Sequence, residues 1–145
     1  MHELASQAFF NAEVSHLSAE RLAKHRGWVF HKLEYPTIDC EFREEGKTTI
    51  RLQFQCDNWN EQPPSISLLT PEGAPLTALP SNPTSVFNFS AHPHTGRSFI
   101  CMRGSREYHT HPSHLNDPWD NLKGSTDYTL GGILTQIWNA WRKGT

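Results

Sequence analysis

Cys101 is the residue best placed in this sequence to do chemistry. It follows Ser98-Phe99-Ile100 and precedes Met102-Arg103-Gly104-Ser105-Arg106, where alternation gives way to a polar loop. Arg97, Arg103 and Arg106 flank it. Neighbouring cations favour thiolate over thiol, and the thiolate is the nucleophile, so a partly exposed Cys101 is expected to attack or carry an acyl group. The other reading is a third buried cysteine at a strand end. Upstream lies His92-Pro93-His94, with His94 seven positions before the sulfur. Folded beside Cys101, an imidazole N–H there would steady a developing oxyanion; without that placement, the tripeptide reads as a surface turn.

A second cluster follows the thiol: Tyr108-His109-Thr110-His111-Pro112-Ser113-His114, then Asn116-Asp117-Pro118-Trp119-Asp120. His109 and His111 would point the same way from an extended segment, and with Asp117 they form a candidate general-base group for an incoming amine. Two other readings stay open. His109, His111 and His114 supply three nitrogens for zinc, with Cys101 as a further ligand, or the loop is a polar surface whose histidines are incidental. Tyr108 and Trp119 read as lids or packing.

Cys40 and Cys56 fall in register with the inward residues of their strands and read as small core hydrophobes. Three cysteines, an odd number in a chain long enough to fold without staples, point to reducing cytoplasm.

The elements that must position these groups are legible from period. Residues from about Glu3 to Arg26 read as helical, with Leu4, Ala8, Ala12, Leu17 and Leu22 as the apolar stripe and Gly27 as the stop. A break near Ser15 would leave Ser18 as N-cap of a second short helix. The period then becomes two. Trp28, Phe30 and Leu33 mark one strand, Ile38, Cys40 and Phe42 the next, and Ile50, Leu52, Phe54 and Cys56 a third; Ile66 and Leu68 begin a fourth after Pro63-Pro64. The Pro71 to Pro83 stretch reads as a loop laid over the core by Leu76 and Leu79. Leu130, Ile133, Leu134, Ile137, Trp138 and Trp141 form one helical face, with Thr129 near its start and Gly131-Gly132 weakening its first turn.

With 145 residues the chain is expected to be one α+β domain over 1–145. The net charge of -2, from 13 basic and 15 acidic residues without long runs, implies no nucleic-acid face. No apolar stretch is long enough to cross a bilayer, and the first residues lack a secretory pattern, so no membrane partner is expected and the cytoplasm is the expected compartment.

The run Pro63-Pro64-Ser65-Ile66-Ser67-Leu68-Leu69-Thr70, then His92-Pro93-His94, then Gly96-Arg97-Ser98-Phe99-Ile100-Cys101, then a tryptophan-proline region and an apolar helix, resembles the ubiquitin-conjugating enzyme family. From about Ser18 to Trp141 the order matches a proline pair before a strand, His-Pro-Asn, Gly-x-Ile/Val-Cys and a helix. The resemblance implies a UBC-like fold: N-terminal helix, four-stranded antiparallel meander, active-site loop and C-terminal helix. It implies that Cys101 takes a ubiquitin-like protein as a thioester from a ubiquitin-activating-like enzyme and passes it to an amine of a target protein, needing no cofactor or metal. On this reading His94, His92, His109, His111 and Asp117 join Cys101 as catalytic candidates. Three departures stand out. His94 replaces the family's asparagine, the Pro71 to Pro83 stretch lengthens the loop before the His-Pro motif, and the sequence ends just after Trp141, where the family has two further helices. The last two suit the divergent compact bacterial relatives in ubiquitin-like conjugation systems, which are associated with phage defence. An inactive UBC-like module that binds such a modifier without chemistry is the alternative.

Overall fold

A computed structural model describes residues 2–144. The N-terminal region forms two helices, α1 (Glu3–Val14) and α2 (Ala19–Arg26). Ser18 caps the second by accepting the Arg21 N–H at 3.3 Å, and Gly27 closes it with a left-handed φ of 70°. A Cβ on Gly27 would lie 1.9 Å from the Arg43 carbonyl oxygen, so glycine is required by backbone approach as well as by φ. The expected stripe on α1 is corrected. Leu4 is 69% exposed and Ala8 and Ala12 face solvent, whereas Ser6 and Phe10 are buried. The break at Ser15 rotates the inward face, and only Leu17 and Leu22 of the predicted stripe pack on the core.

Four strands follow as an antiparallel meander: β1 (Trp28–Glu34), β2 (Thr37–Phe42), β3 (Ile50–Gln55) and β4 (Ser65–Leu69). Their inward residues are Trp28, Ile38, Cys40, Phe42, Ile50, Leu52, Phe54, Ile66 and Leu68, as the period-two pattern predicts. Every residue of β2 is buried, its polar face included. Asp39 is matched by Arg51 at 2.7 Å, and Glu41 by His31 at 2.9 Å and Arg43 at 2.5 Å, which makes that burial tolerable.

The meander is extended by two short strands that periodicity does not reveal, β5 (Phe87–Asn88) and β6 (Phe99–Ile100), giving the sheet order β1-β2-β3-β4-β6-β5. Within the Pro71 to Pro83 loop Leu76 is buried in the core and its N–H donates to Leu68 O at 3.1 Å, so that segment does lie over the core. Two further helices, α3 (Arg106–Thr110) and α4 (Leu130–Lys143), complete the chain. Buried Leu130, Ile133, Leu134, Ile137 and Trp141 cover the inner sheet face. Thr129 caps α4 through Gly132 N–H at 3.0 Å. A Cβ on Gly132 would lie 2.5 Å from Asp127 O, so this glycine, costly to helix propensity, permits the preceding 3-10 turn (Thr126–Tyr128) to fold against the helix start. No helix among the described residues is long and apolar enough to cross a membrane.

Candidate functional site

Cys101 is half-buried immediately after β6, where its N–H donates to Val86 O at 2.6 Å. The chain then reverses. Gly104 takes a φ of 100° with Ile133 Cγ1 3.0 Å from where its Cβ would stand, and the buried Ser105 hydroxyl donates to Ile100 O at 2.6 Å. Ser105 also accepts the Tyr108 N–H at 3.1 Å, capping α3. This short helix is docked by Glu107, whose carboxylate accepts the Ile66 N–H at 2.8 Å and the Ser65 hydroxyl at 2.6 Å. Arg106 adds bonds to the proline pair, from N–H to Pro64 O at 2.8 Å and from Nε to Pro63 O at 3.1 Å.

His114 Nε2 lies 3.8 Å from the Cys101 Sγ, at the outer range of a hydrogen bond to sulfur. The side chain of Asn88 is near enough to favour the thiolate, and its Oδ1 accepts the Ser90 N–H at 2.9 Å. Asn88 lies on β5, a two-residue strand with no periodic signal; its amide is the functional group that sequence reasoning missed. His114 stacks on Tyr108, with ring centroids 4.0 Å apart and planes at 15°. The Tyr108 hydroxyl donates to Asp117 Oδ2 at 2.7 Å, and Arg103 Nε donates to the same oxygen at 2.7 Å.

The expectation that flanking arginines depress the thiol pKa is corrected. Burial pushes the Cys101 thiol up, and the Asn88 hydrogen bond only partly offsets it. Arg103 is committed to Asp117, Arg106 to the proline carbonyls, and Arg97 is exposed and lines two surface cavities instead. The resting group is therefore a thiol that needs a base, and His114 is the imidazole beside it.

The other candidates separate by their partners. His92 is 1% exposed; its Nδ1 accepts the His94 N–H at 3.1 Å, so Nε2 carries the proton and donates to Glu107 O at 2.8 Å. With both nitrogens held by backbone, His92 has no N–H left for an oxyanion. His94 is exposed, with its ring 5.6 Å from that of His92. His109 accepts the Gly104 N–H at Nε2 (3.0 Å) and donates from Nδ1 to Asp117 O (2.8 Å), and burial lowers its pKa. It is a turn brace with no nitrogen free for base work or metal. His111 caps the 3-10 turn Pro112–His114 through Ser113 N–H at 3.1 Å and stacks on Phe99. The expected parallel projection of His109 and His111 fails because the segment is helical, so their rings diverge. Asp117 is a carboxylate held below its usual range by Tyr108 and Arg103, and it braces Tyr108.

The zinc set fails on the same geometry, since His109 is spent. Among the described residues no three His, Cys, Asp or Glu side chains come together as metal ligands. Cys40 and Cys56 are fully buried, and burial drives both thiols far up, as their core reading requires.

The segment that builds this site lies within a stretch matched by a family model. A family model described as Y4jH-like, Y4jH family, matches residues 84–144. A protein of Sinorhizobium fredii (strain NBRC 101917 / NGR234), named Uncharacterized protein y4jH, is 49% identical over 39 residues. That match covers 27% of this chain and 19% of the relative's length. The family-matched stretch contains Asn88, Cys101, Arg103, Tyr108, His114 and Asp117, so it carries the whole cluster together with α4.

Proposed function

We propose that this protein carries a ubiquitin-like protein as a thioester on Cys101 and transfers it to an amine of a target protein. The observation that carries the reading is a half-buried Cys101 whose sulfur has the His114 imidazole 3.8 Å away; the Asn88 side chain favours its thiolate. Supporting it are the order of α2, the β1 to β4 meander, the thiol-bearing turn and α4, an α+β arrangement compatible with a UBC-like fold. The docked proline pair beside α3 fits as well. Strands β5 and β6 and the additional α1 distinguish this chain from the bare four-stranded arrangement. Action in a bacterial antiphage conjugation system rests on the resemblance alone.

The chemistry balances without a cofactor. His114 takes the Cys101 proton as sulfur attacks the carbonyl of the activating enzyme's thioester. The tetrahedral oxyanion collapses to the new thioester, and the departing thiolate of the activating enzyme receives that proton. In the second half the target amine attacks, its proton passes to the leaving Cys101 sulfur, and an amide forms. Asn88 is the amide donor available to the oxyanion.

The test is incubation with ATP and with an activating enzyme and ubiquitin-like protein encoded beside its gene, followed by electrophoresis with and without reductant. A reductant-sensitive adduct is expected, absent in Cys101→Ala; Cys101→Ser is expected to give a reductant-resistant oxyester. If the modifier co-elutes with the protein without an adduct, the chain is a binding module. Absence of both adduct and complex, or of such genes, overturns the proposal.

A further inference from the structure

One cavity lies away from Cys101 and shares no residue with the groups around that thiol. It encloses about 450 Å³ between the α1–α2 turn, α2, the start of β1 and the start of α4. Its wall includes Arg21, Arg26, His16, His25 and Trp28, and no aspartate or glutamate. The side chains of Arg21 and His25 make no ion pair or hydrogen bond among the described residues. Arg26 is fixed in place: its guanidinium lies 5.2 Å from the Trp28 ring centroid and 4.9 Å from that of Trp138, and it donates to Thr135 Oγ1 at 3.1 Å. Several of its N–H groups remain unused.

Trp28 also belongs to the wall. It is 1% exposed, and its indole nitrogen is sealed from the hollow with no hydrogen-bond partner among the described residues, so the ring reports on the site without being a polar contact of it. Gly131, in the first turn of α4, also lines the wall; helical geometry leaves its N–H without an intrahelical partner. A Cβ there would sit 3.2 Å from Leu17 Cδ2, so glycine keeps this side open. Of the acids flanking these wall residues in sequence, Glu13 is occupied by Trp59 and the Leu130 N–H, and Glu20 is exposed and not part of the wall.

Two guanidiniums and two imidazoles line one hollow, with no acid among its wall residues, a composition suited to an anion. We propose that this cavity binds a phosphate group, held by Arg21 and Arg26 beside the Trp28 ring. Guanidinium forks match phosphate oxygens in pairs, which favours phosphate over a halide or other spherical anion. The hollow exceeds one phosphate and falls within the range of small-molecule pockets, with Leu17 and Leu22 giving an apolar side for an organic ester.

The test follows indole N–H resonances by NMR during separate millimolar titrations with inorganic phosphate, AMP and uncharged adenosine. Trp28→Phe assigns the Trp28 signal. A saturable shift of that signal by phosphate or AMP is expected, with none by adenosine; tighter binding of AMP identifies an ester as the ligand, and equal binding identifies free phosphate. Arg21→Ala, at an exposed position, is expected to weaken binding at least about tenfold while leaving the rest of the spectrum unchanged. No shift with either anion, an equal shift with adenosine, or undiminished binding by folded Arg21→Ala overturns the proposal.

Discussion

The ring of Tyr108 lies almost parallel to that of His114, 4.0 Å from it, and its hydroxyl is held by Asp117. Asp117 thus acts on the thiol at one remove. Its carboxylate fixes a phenol, the phenol supports an imidazole, and the imidazole stands beside Cys101. Arg103 neutralises the same carboxylate oxygen instead of facing the sulfur, which explains why a cation two residues from a thiol leaves it unactivated.

Tyr108→Phe is expected to keep the stack but lose the Asp117 bond, lowering stability by about 1 kcal/mol and slowing thioester formation modestly. Tyr108→Ala should slow it much more, because nothing then orients His114. A positioning role predicts that Tyr108→Ala has no further effect once His114→Ala is present. A purely structural role predicts additive losses, so the double-mutant cycle, read as thioester formation rate, decides.

Alkylation offers a readout that needs no partner. Because burial raises the Cys101 pKa, its reaction with iodoacetamide should be slow at neutral pH and climb with pH to a midpoint above the ordinary thiol value of about 8.5. Asn88→Ala removes the bond that favours the thiolate and should move the midpoint higher still. Cys40 and Cys56 should stay unmodified in the folded protein, as peptide mass spectrometry would show; equal labelling of all three would contradict the burial described above.

The four-strand meander, the α4 face and the Cys40 and Cys56 core roles were legible because long apolar repeats record which face is buried. Cys101 was legible as the one cysteine where that repeat breaks. The site's partners were not. Asn88 lies on a two-residue strand, too short to print a period, and pairs with the sheet only because Phe99 and Ile100 lie between it and β4. His109, His111 and His114 share one segment, but α3 and the 3-10 turn after it send His109 and His111 to backbone groups and leave His114 for sulfur. Residue type made each a candidate; which atom each ring nitrogen met was decided by turns that spacing does not encode.

Glu13 joins three parts of the chain, since one carboxylate oxygen accepts the Leu130 N–H at 2.8 Å and the other accepts the Trp59 indole N–H. Glu13→Ala strands two buried donors and should cost about 2–4 kcal/mol in urea unfolding; Glu13→Gln, retaining one acceptor, should cost roughly half. Burial raises the Glu13 pKa above its unfolded value near 4.3, so the folded chain holds more protons in that window. This group therefore makes stability fall as pH rises through the folded pKa, and Glu13→Gln should remove that slope.

Asp39 carries the opposite sign. Arg51 binds it through Nε to Oδ1 at 2.8 Å and through a terminal nitrogen to Oδ2 at 2.7 Å, holding its carboxyl below the usual range. The pair contributes its full stability above the unfolded pKa near 3.9 and loses it as pH falls through the folded value. Glu41 reinforces this: burial pushes it up, but bonds from His31 and Arg43 outweigh that and hold it down. Stability in urea should therefore drop steeply below about pH 4, and Asp39→Asn should flatten the drop while costing on the order of 2 kcal/mol at neutral pH. Arg51 also donates to Pro71 O at 3.1 Å, tethering the proline-rich loop to β3. Arg51→Lys cannot reproduce both the paired carboxylate bonds and this third one, so limited proteolysis should cut between residues 71 and 83 faster in that variant than in Asp39→Asn. Equal cleavage would mean that Leu76, and not the guanidinium, anchors the loop.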